Sequence, residues 1–193
     1  MSMIQEELDI PVTILTGFLG AGKTTLLNRI LSENHNYKIA IIENEFGQEN
    51  VDSDLLVTPG KEQIISMNNG CVCCTIRGDL SRVLTDLRHQ RDRGEVEFDY
   101  VIIETTGLAN PGPVAQTFFM DDNYYRLDGV VTVVDCKHGN QTLNEEEAAR
   151  DQVGFADRIL LSKTDLCAPE EVEAMKARLV QMNARAPLRE VNM

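Results

Sequence analysis

The residues Gly17-Phe18-Leu19-Gly20-Ala21-Gly22-Lys23-Thr24 fit the pattern G-x-x-x-x-G-K-[ST], set between the β-rich apolar run Val12–Leu15 and a segment of helical spacing, Lys23–Leu31. Few sequence features restrict a fold so strongly, because strand, glycine turn and helix together make a phosphate cradle. The glycines let backbone N–H groups turn inward, and the helix adds the positive end of its dipole. Lys23 is expected to reach the β- and γ-phosphates, and Thr24 to offer its hydroxyl to Mg²⁺. A dinucleotide fingerprint fails here, because Thr25 stands where that turn needs Gly or Ala. The expected contact set is therefore Gly17, Gly20, Ala21, Gly22, Lys23, Thr24 and Thr25 around a purine nucleoside triphosphate.

Further runs apolar on both faces recur at Ile39–Ile42, Val101–Ile103, Val130–Val134 and Ile159–Leu161. Strands buried on both sides belong to parallel sheets covered by helices. Segments 80–93, 114–120, 145–155 and 170–183 have helical spacing or composition, with Pro169 placed to open the last. The fold class expected is α/β, a three-layer P-loop NTPase fold with a mainly parallel sheet flanked by helices. Short strands are expected at 63–67 and 188–191, and a long surface loop at 44–60. Residues 1–10 read as an N-terminal extension and 11–193 as one domain. With 18 Lys and Arg against 31 Asp and Glu, the net charge of −13 repels nucleic acid and anionic membrane, so any phosphate site is local. No apolar stretch is long enough to span a bilayer, and a cytoplasmic protein is expected.

Glu104-Thr105-Thr106-Gly107 follows the third apolar strand. There P-loop NTPases keep an acid that organises Mg²⁺ or water, here Glu104, and a glycine whose N–H senses the γ-phosphate, here Gly107. Ser162-Lys163-Thr164-Asp165 runs from the next-to-last strand into a loop and resembles the guanine-reading N-K-x-D. Asp165 can accept both N1–H and N2–H of guanine, a donor pair adenine lacks, while the Lys163 stem covers the base plane. Ser162 replaces the usual Asn, which keeps a donor for a ring acceptor but loses the bidentate amide. GTP is favoured, with ATP left open.

Three of five cysteines fall in Cys71-Val72-Cys73-Cys74, after Asn68-Asn69-Gly70. In a reducing compartment such a cluster binds metal, does thiol redox chemistry or is structural. An extended backbone would put Cys71 and Cys73 on one side, and a helix start near Cys74 would bring in a third sulfur and favour thiolates. Three thiolates suit Zn²⁺ or Cu(I), with Co²⁺ and Ni²⁺ also open. A fourth ligand would come from Glu43 or Glu45, a second protomer of a homodimer, or water; His35, His89 and His138 show no pairing that singles one out. Cys136 and Cys167 read as small core residues.

Together, 16–25, Ile42-Glu43-Asn44-Glu45-Phe46-Gly47, the thiol block, Glu104–Gly107 and Ser162–Asp165 closely resemble the CobW-type metal-handling P-loop GTPases, most nearly the YjiA-like branch. The resemblance spans 11–191. It implies slow GTP hydrolysis, a role in trafficking a transition metal, zinc first, to a client metalloprotein, and the same broad class as the nickel-delivery GTPases HypB and UreG. It further implies that Lys23 and Thr24 hold phosphate and Mg²⁺, that Glu104 is the catalytic acid with Lys23, and that Cys71, Cys73 and Cys74 bind metal with Glu43 near. Gln48 departs from the Glu usual in that branch, which weakens a site using both loop and thiols. The family also continues into a C-terminal domain and a base-contacting loop that this chain lacks, so the isolated GTPase domain is expected. The competing readings are a nucleotide-gated metal buffer or interaction module and a P-loop kinase of a small metabolite.

Overall fold

The computed structural model describes residues 9–45, 63–68, 76–119 and 124–192. Among these residues seven strands form one sheet, β1 (Ile10–Gly17), β2 (Ile39–Glu45), β3 (Gln63–Asn68), β4 (Tyr100–Thr105), β5 (Tyr125–Asp135), β6 (Arg158–Ser162) and β7 (Leu188–Val191). Their order is β3-β2-β4-β1-β5-β6-β7, and every pairing among them is parallel. Helices α1 (Lys23–Ser32), α2 (Ile76–Asp92), α3 (Gly112–Thr117), α4 (Gly139–Glu145), α5 (Glu147–Phe155) and α6 (Pro169–Met182) connect the strands. The α/β architecture read from alternating apolar runs is therefore the observed one.

Side chains of β1 alternate between two cores, as strand geometry requires. Val12 and Ile14 join Ala40, Ile42, Val101 and Ile103 beneath α2 and α3, whose Leu84, Leu87 and Val114 are buried with them. Leu15 turns the other way, with Ile39, Ile41, Ile102 and Val133, against Leu27 and Leu31 of α1. A third cluster seats Leu143, Val153, Val172, Met175 and Leu179 of α4, α5 and α6 on Val134, Ile159 and Leu161. Burying a Leu or Ile side chain stabilises by about 1.5–3 kcal/mol, so these clusters fix which helix covers which strand.

Local chemistry explains where elements stop. Pro169 occupies the first turn of α6, and Glu171 accepts the backbone N–H of Ala168 at 2.8 Å. The helix expected over 145–155 is α5, and an unexpected helix, α4, precedes it, the two parted at Glu146, whose φ/ψ of −109°/118° are extended. Sequence reading passed over α4 because Gly139 and Asn140 are weak helix formers, and α4 is held by burial of Leu143. Asn44 and Glu45 extend β2 rather than starting the expected loop, and 46–62 lie outside the described residues. No helix of the described residues is long and apolar enough to cross a membrane.

Candidate functional site

The chain leaves β1 for β2 and β3 on one side, then crosses to β5 on the other, so the sheet reverses direction around β1. Ligands of open α/β sheets bind at such a switch point, beyond the carboxyl ends of the strands. Gly17 ends β1 there with φ 145°, and a Cβ on it would collide with the Val133 carbonyl oxygen of neighbouring β5. The turn continues through Gly20, φ 73°, in front of which lies open space, to Gly22, φ 104°, the N-cap of α1. No side chain caps α1 and no acidic residue lies in its first turn. The first N–H groups of this helix are thus left to a ligand, and the dipole favours an anionic one. Lys23, 8% exposed, bends its Nζ back to donate to Gly17 O at 2.9 Å, inside the same loop. Ala21 is buried, Thr24 half-buried and Thr25 exposed.

Glu104 is the register partner of Leu15, and Glu43 that of Glu104. Both carboxylates have the parity of Ile41 and Ile102, which pack on α1, so they line the α1 face of the sheet edge beside Lys23 and Thr24. Glu43 is 4% exposed. These residues fit a hard cation at bound phosphate: Thr24 would supply a hydroxyl, Glu104 a carboxylate, and the uncapped helix end would receive the phosphate.

Beneath them the loops are tied by buried hydrogen bonds. Thr105 Oγ1 donates to Thr16 Oγ1 at 2.8 Å. A Cβ on Gly107 would lie 2.5 Å from Leu19 N, so only glycine lets this loop rest on the P-loop. Two further residues were not singled out in the sequence. Gln152 of α5, 1% exposed, donates Nε2 to Gly107 O and Ala109 O, both at 3.0 Å, and so anchors the loop after β4. Thr106 Oγ1 is buried without a hydrogen bond among the described residues. Only long-range packing reveals Gln152; a Thr beside Glu104 and Gly107 was the one available hint for Thr106.

The Ser162–Asp165 run is built differently. Ser162 is fully buried, and its hydroxyl proton is directed at Ala21 O, 2.7 Å, with Val134 O at 3.2 Å. Here the serine binds the P-loop backbone. Lys163, the one non-glycine residue at positive φ among the described residues (57°), donates Nζ to Gly20 O at 2.7 Å and to Asp135 Oδ2 at 2.8 Å. Asp135 closes this strut: its carboxylate also accepts the backbone N–H of Lys137 and of His138 and contacts His138 Nδ1 at 3.0 Å. Burial pushes its carboxyl up, but the hydrogen bonds from Lys163 and His138 outweigh that and hold it below the ordinary carboxylate range. Asp165 lies exposed in the 3₁₀ turn Thr164–Leu166. A cavity of about 270 Å³ opens beside this strut, between Phe18, Leu19, His138, Gln152 and Lys163.

Cys71, Cys73 and Cys74 lie outside the described residues, in the stretch joining β3 to α2. Among the described residues, no three His, Cys, Asp or Glu side chains gather as a metal site. His35 follows the far end of α1 and His89 lies in the last turn of α2, both away from the edge that carries Glu43, while His138 is engaged by Asp135. Cys136 is buried and Cys167 half-buried against the third cluster.

The zinc chaperone YjiA of Escherichia coli is 50% identical over 182 residues, covering 93% of this chain and 56% of YjiA. Zinc-regulated GTPase metalloprotein activator 1 of Schizosaccharomyces pombe is 40% identical over 188 residues, 93% of this chain and 45% of that protein. The chain thus spans about half the length of the curated relatives it matches. The crystal structure of Zn(II)-bound YjiA GTPase from E. coli superposes with a TM-score of 0.77 at 44% identity, covering 94% of this chain and 57% of that one. HypB from Helicobacter pylori in complex with nickel, at 21% identity and TM-score 0.65 over 95% of this chain and 79% of that one, shares the fold. With the model of the CobW/HypB/UreG nucleotide-binding domain matching residues 11–190, the chain belongs to that family.

Proposed function

We propose that this chain, residues 11–193 forming its GTPase domain, binds GTP with Mg²⁺, hydrolyses it slowly, and uses the nucleotide state to load and release a transition metal, zinc first, for a client metalloprotein. The observation that carries this reading is the shared edge: the P-loop mouth, Glu104 and the buried Glu43 occupy one face of the sheet. From there, β3 pairs in parallel with β2, Asn68 opposite Glu45, and leads directly into the segment of Cys71, Cys73 and Cys74.

Lys23 leaves Gly17 O for the β/γ-phosphates, Gly20 and Gly22 turn N–H groups to them, joined by Ala21 once its N–H leaves Phe18 O, and Thr24 with Glu104 would hold Mg²⁺, which would screen the charge of the phosphates. Glu104 also orients the attacking water, and Gly107 N–H reports the γ-phosphate through the loop anchored by Gln152. Asp165 accepts the guanine N1–H and N2–H, and Lys163 covers the base plane while holding Gly20 O. The sequence sets no arginine finger in a defined place, which fits slow turnover in the absence of a second protomer or partner. Cys71, Cys73 and Cys74 supply three thiolates for the metal, with Glu43 at the junction of the two halves. The names of the relatives, a zinc chaperone and a zinc-regulated activator, support zinc as the cargo. A phosphate-release assay with GTP against ATP, together with zinc stoichiometry of wild type and of Cys71→Ser/Cys73→Ser/Cys74→Ser, tests the reading. It requires GTP-selective turnover and loss of about one zinc in the triple variant; turnover without thiol-dependent metal would leave an ordinary P-loop NTPase.

A further inference from the structure

Two cysteines with no part in that reading meet behind the base-reading turn. Cys136 follows Asp135 at the end of β5, is 5% exposed, and donates its backbone N–H to Ser162 O at 2.9 Å, closing β5 on β6. Cys167 ends the Thr164–Leu166 turn, is half-buried against the same apolar cluster, and points its Sγ at Lys163 O, 3.6 Å away. The two thiols are free, pack on one apolar cluster, and belong to residues bonded to adjacent carbonyls, Cys136 N–H to Ser162 O and Cys167 Sγ to Lys163 O. One sulfur therefore hangs from the strand that carries Asp135, the other from the turn that carries Lys163 and Asp165. These are the two sides of the strut onto Gly20 O.

We propose that Cys136 and Cys167 form a thiol–disulfide modification site that controls guanine-nucleotide binding at the adjoining turn, with a low-molecular-weight disulfide such as glutathione disulfide as oxidant. The inference rests on the nucleotide reading above. Cys167, the more exposed thiol, attacks one sulfur of glutathione disulfide as its thiolate; that S–S bond breaks, and the departing glutathione thiolate takes up the proton Cys167 gave to water. Cys136 then attacks Cys167 Sγ, the mixed disulfide breaks, and a second glutathione leaves with the second proton. Two protein thiols are oxidised to one disulfide, and one glutathione disulfide is reduced to two thiols. Burial first, then the neighbouring Cys167 thiol, push the Cys136 thiol up to about 12.

Bonded sulfurs stand about 2.05 Å apart, well inside the contact distance of two unbonded sulfurs. Closing that gap removes the Cys167 contact with Lys163 O and draws the turn toward β5. Lys163, held at φ 57° by its bonds to Gly20 O and Asp135 Oδ2, then loses that geometry, and nucleotide affinity falls.

The test treats the reduced full chain with glutathione disulfide, maps disulfide-linked peptides by mass, and titrates a fluorescent GTP analogue before and after. The expected result is a linked pair of peptides carrying Cys136 and Cys167, a Kd raised on the order of tenfold, and recovery with dithiothreitol. Cys136→Ser and Cys167→Ser should each lose both the link and the response. The oxidised and reduced wild-type protein can be compared without any variant, so a variant that fails to fold leaves the test standing. Absence of the linked peptides, or a link that leaves the Kd unchanged, overturns the inference. A reduced chain with no affinity for guanine nucleotide overturns the functional reading instead, and the mass map tells the two failures apart.

Discussion

The two ends of the nucleotide site reach order by opposite means. The phosphate end is made of backbone: Gly17, Gly20 and Gly22 take positive φ, and an uncapped helix follows. The proposed base-reading end is made of side chains, with Ser162 and Lys163 bonded to the P-loop carbonyls of Ala21 and Gly20 and Asp135 fixing the lysine. Phosphates are alike in every nucleotide and can be held by repeated N–H groups, whereas a base needs positioned donors and acceptors. The second end is thus built on the first, and damage should pass between them through Ala21 and Gly20.

The sharpest test of this division is Lys23→Ala. It removes the one ammonium inside the phosphate loop, and nucleotide turnover should fall roughly 100-fold with the fold retained by circular dichroism. Retained turnover would mean that the backbone alone binds phosphate. Next in size, Asp165→Ala should lower the preference for GTP over ATP by about 10- to 50-fold, since two guanine donors lose their acceptor, with little change in affinity for inorganic triphosphate. Competition titrations read both numbers, and an equal loss of both would place Asp165 in the phosphate half.

Ser162→Ala should cost about 1–2 kcal/mol in denaturant unfolding, because the Ala21 and Val134 carbonyls lose a buried donor. It should weaken every nucleotide alike, which separates a strut from a base reader. Smallest is the effect at Asp135. Its carboxyl lies below the ordinary range in the folded chain, so its contribution to stability is complete above the unfolded carboxylate value and is lost as pH falls through the lower folded one. Wild type should shed that increment on the acid side of about pH 4, and Asp135→Asn should lack it. A matching acid limb in the variant would assign the titration to another group.

How much of this could be read beforehand follows from the same contrast. The P-loop was legible because its chemistry is local, fixed glycines at fixed spacing between a strand and a helix. A parallel sheet covered on both faces was implicit in the doubly apolar runs, though its strand order was not, and even the four-residue β7 could be read. Gln152 and Asp135 were not legible, since their partners Gly107, Ala109 and Lys163 are distant in sequence and only packing brings them together. Ser162 was legible as a departure from N-K-x-D, but its contact with Ala21 O was not, because a hydroxyl can face base or backbone and spacing does not decide. The thiol block was read from spacing and resemblance, and there the described structure supplies Glu43 and the path of β3.

The central claim is that this nucleotide site and the thiols share one equilibrium, and reciprocal titration tests it most directly. Zinc is titrated against a competing chelator into the reduced chain, with and without Mg²⁺ and a non-hydrolysable GTP analogue, and the analogue is titrated with and without zinc. The account predicts that each ligand changes the other's Kd by the same factor, on the order of tenfold, and that Cys71→Ser/Cys73→Ser/Cys74→Ser abolishes both shifts. Zinc binding that depends on the thiols yet is indifferent to the analogue would contradict it.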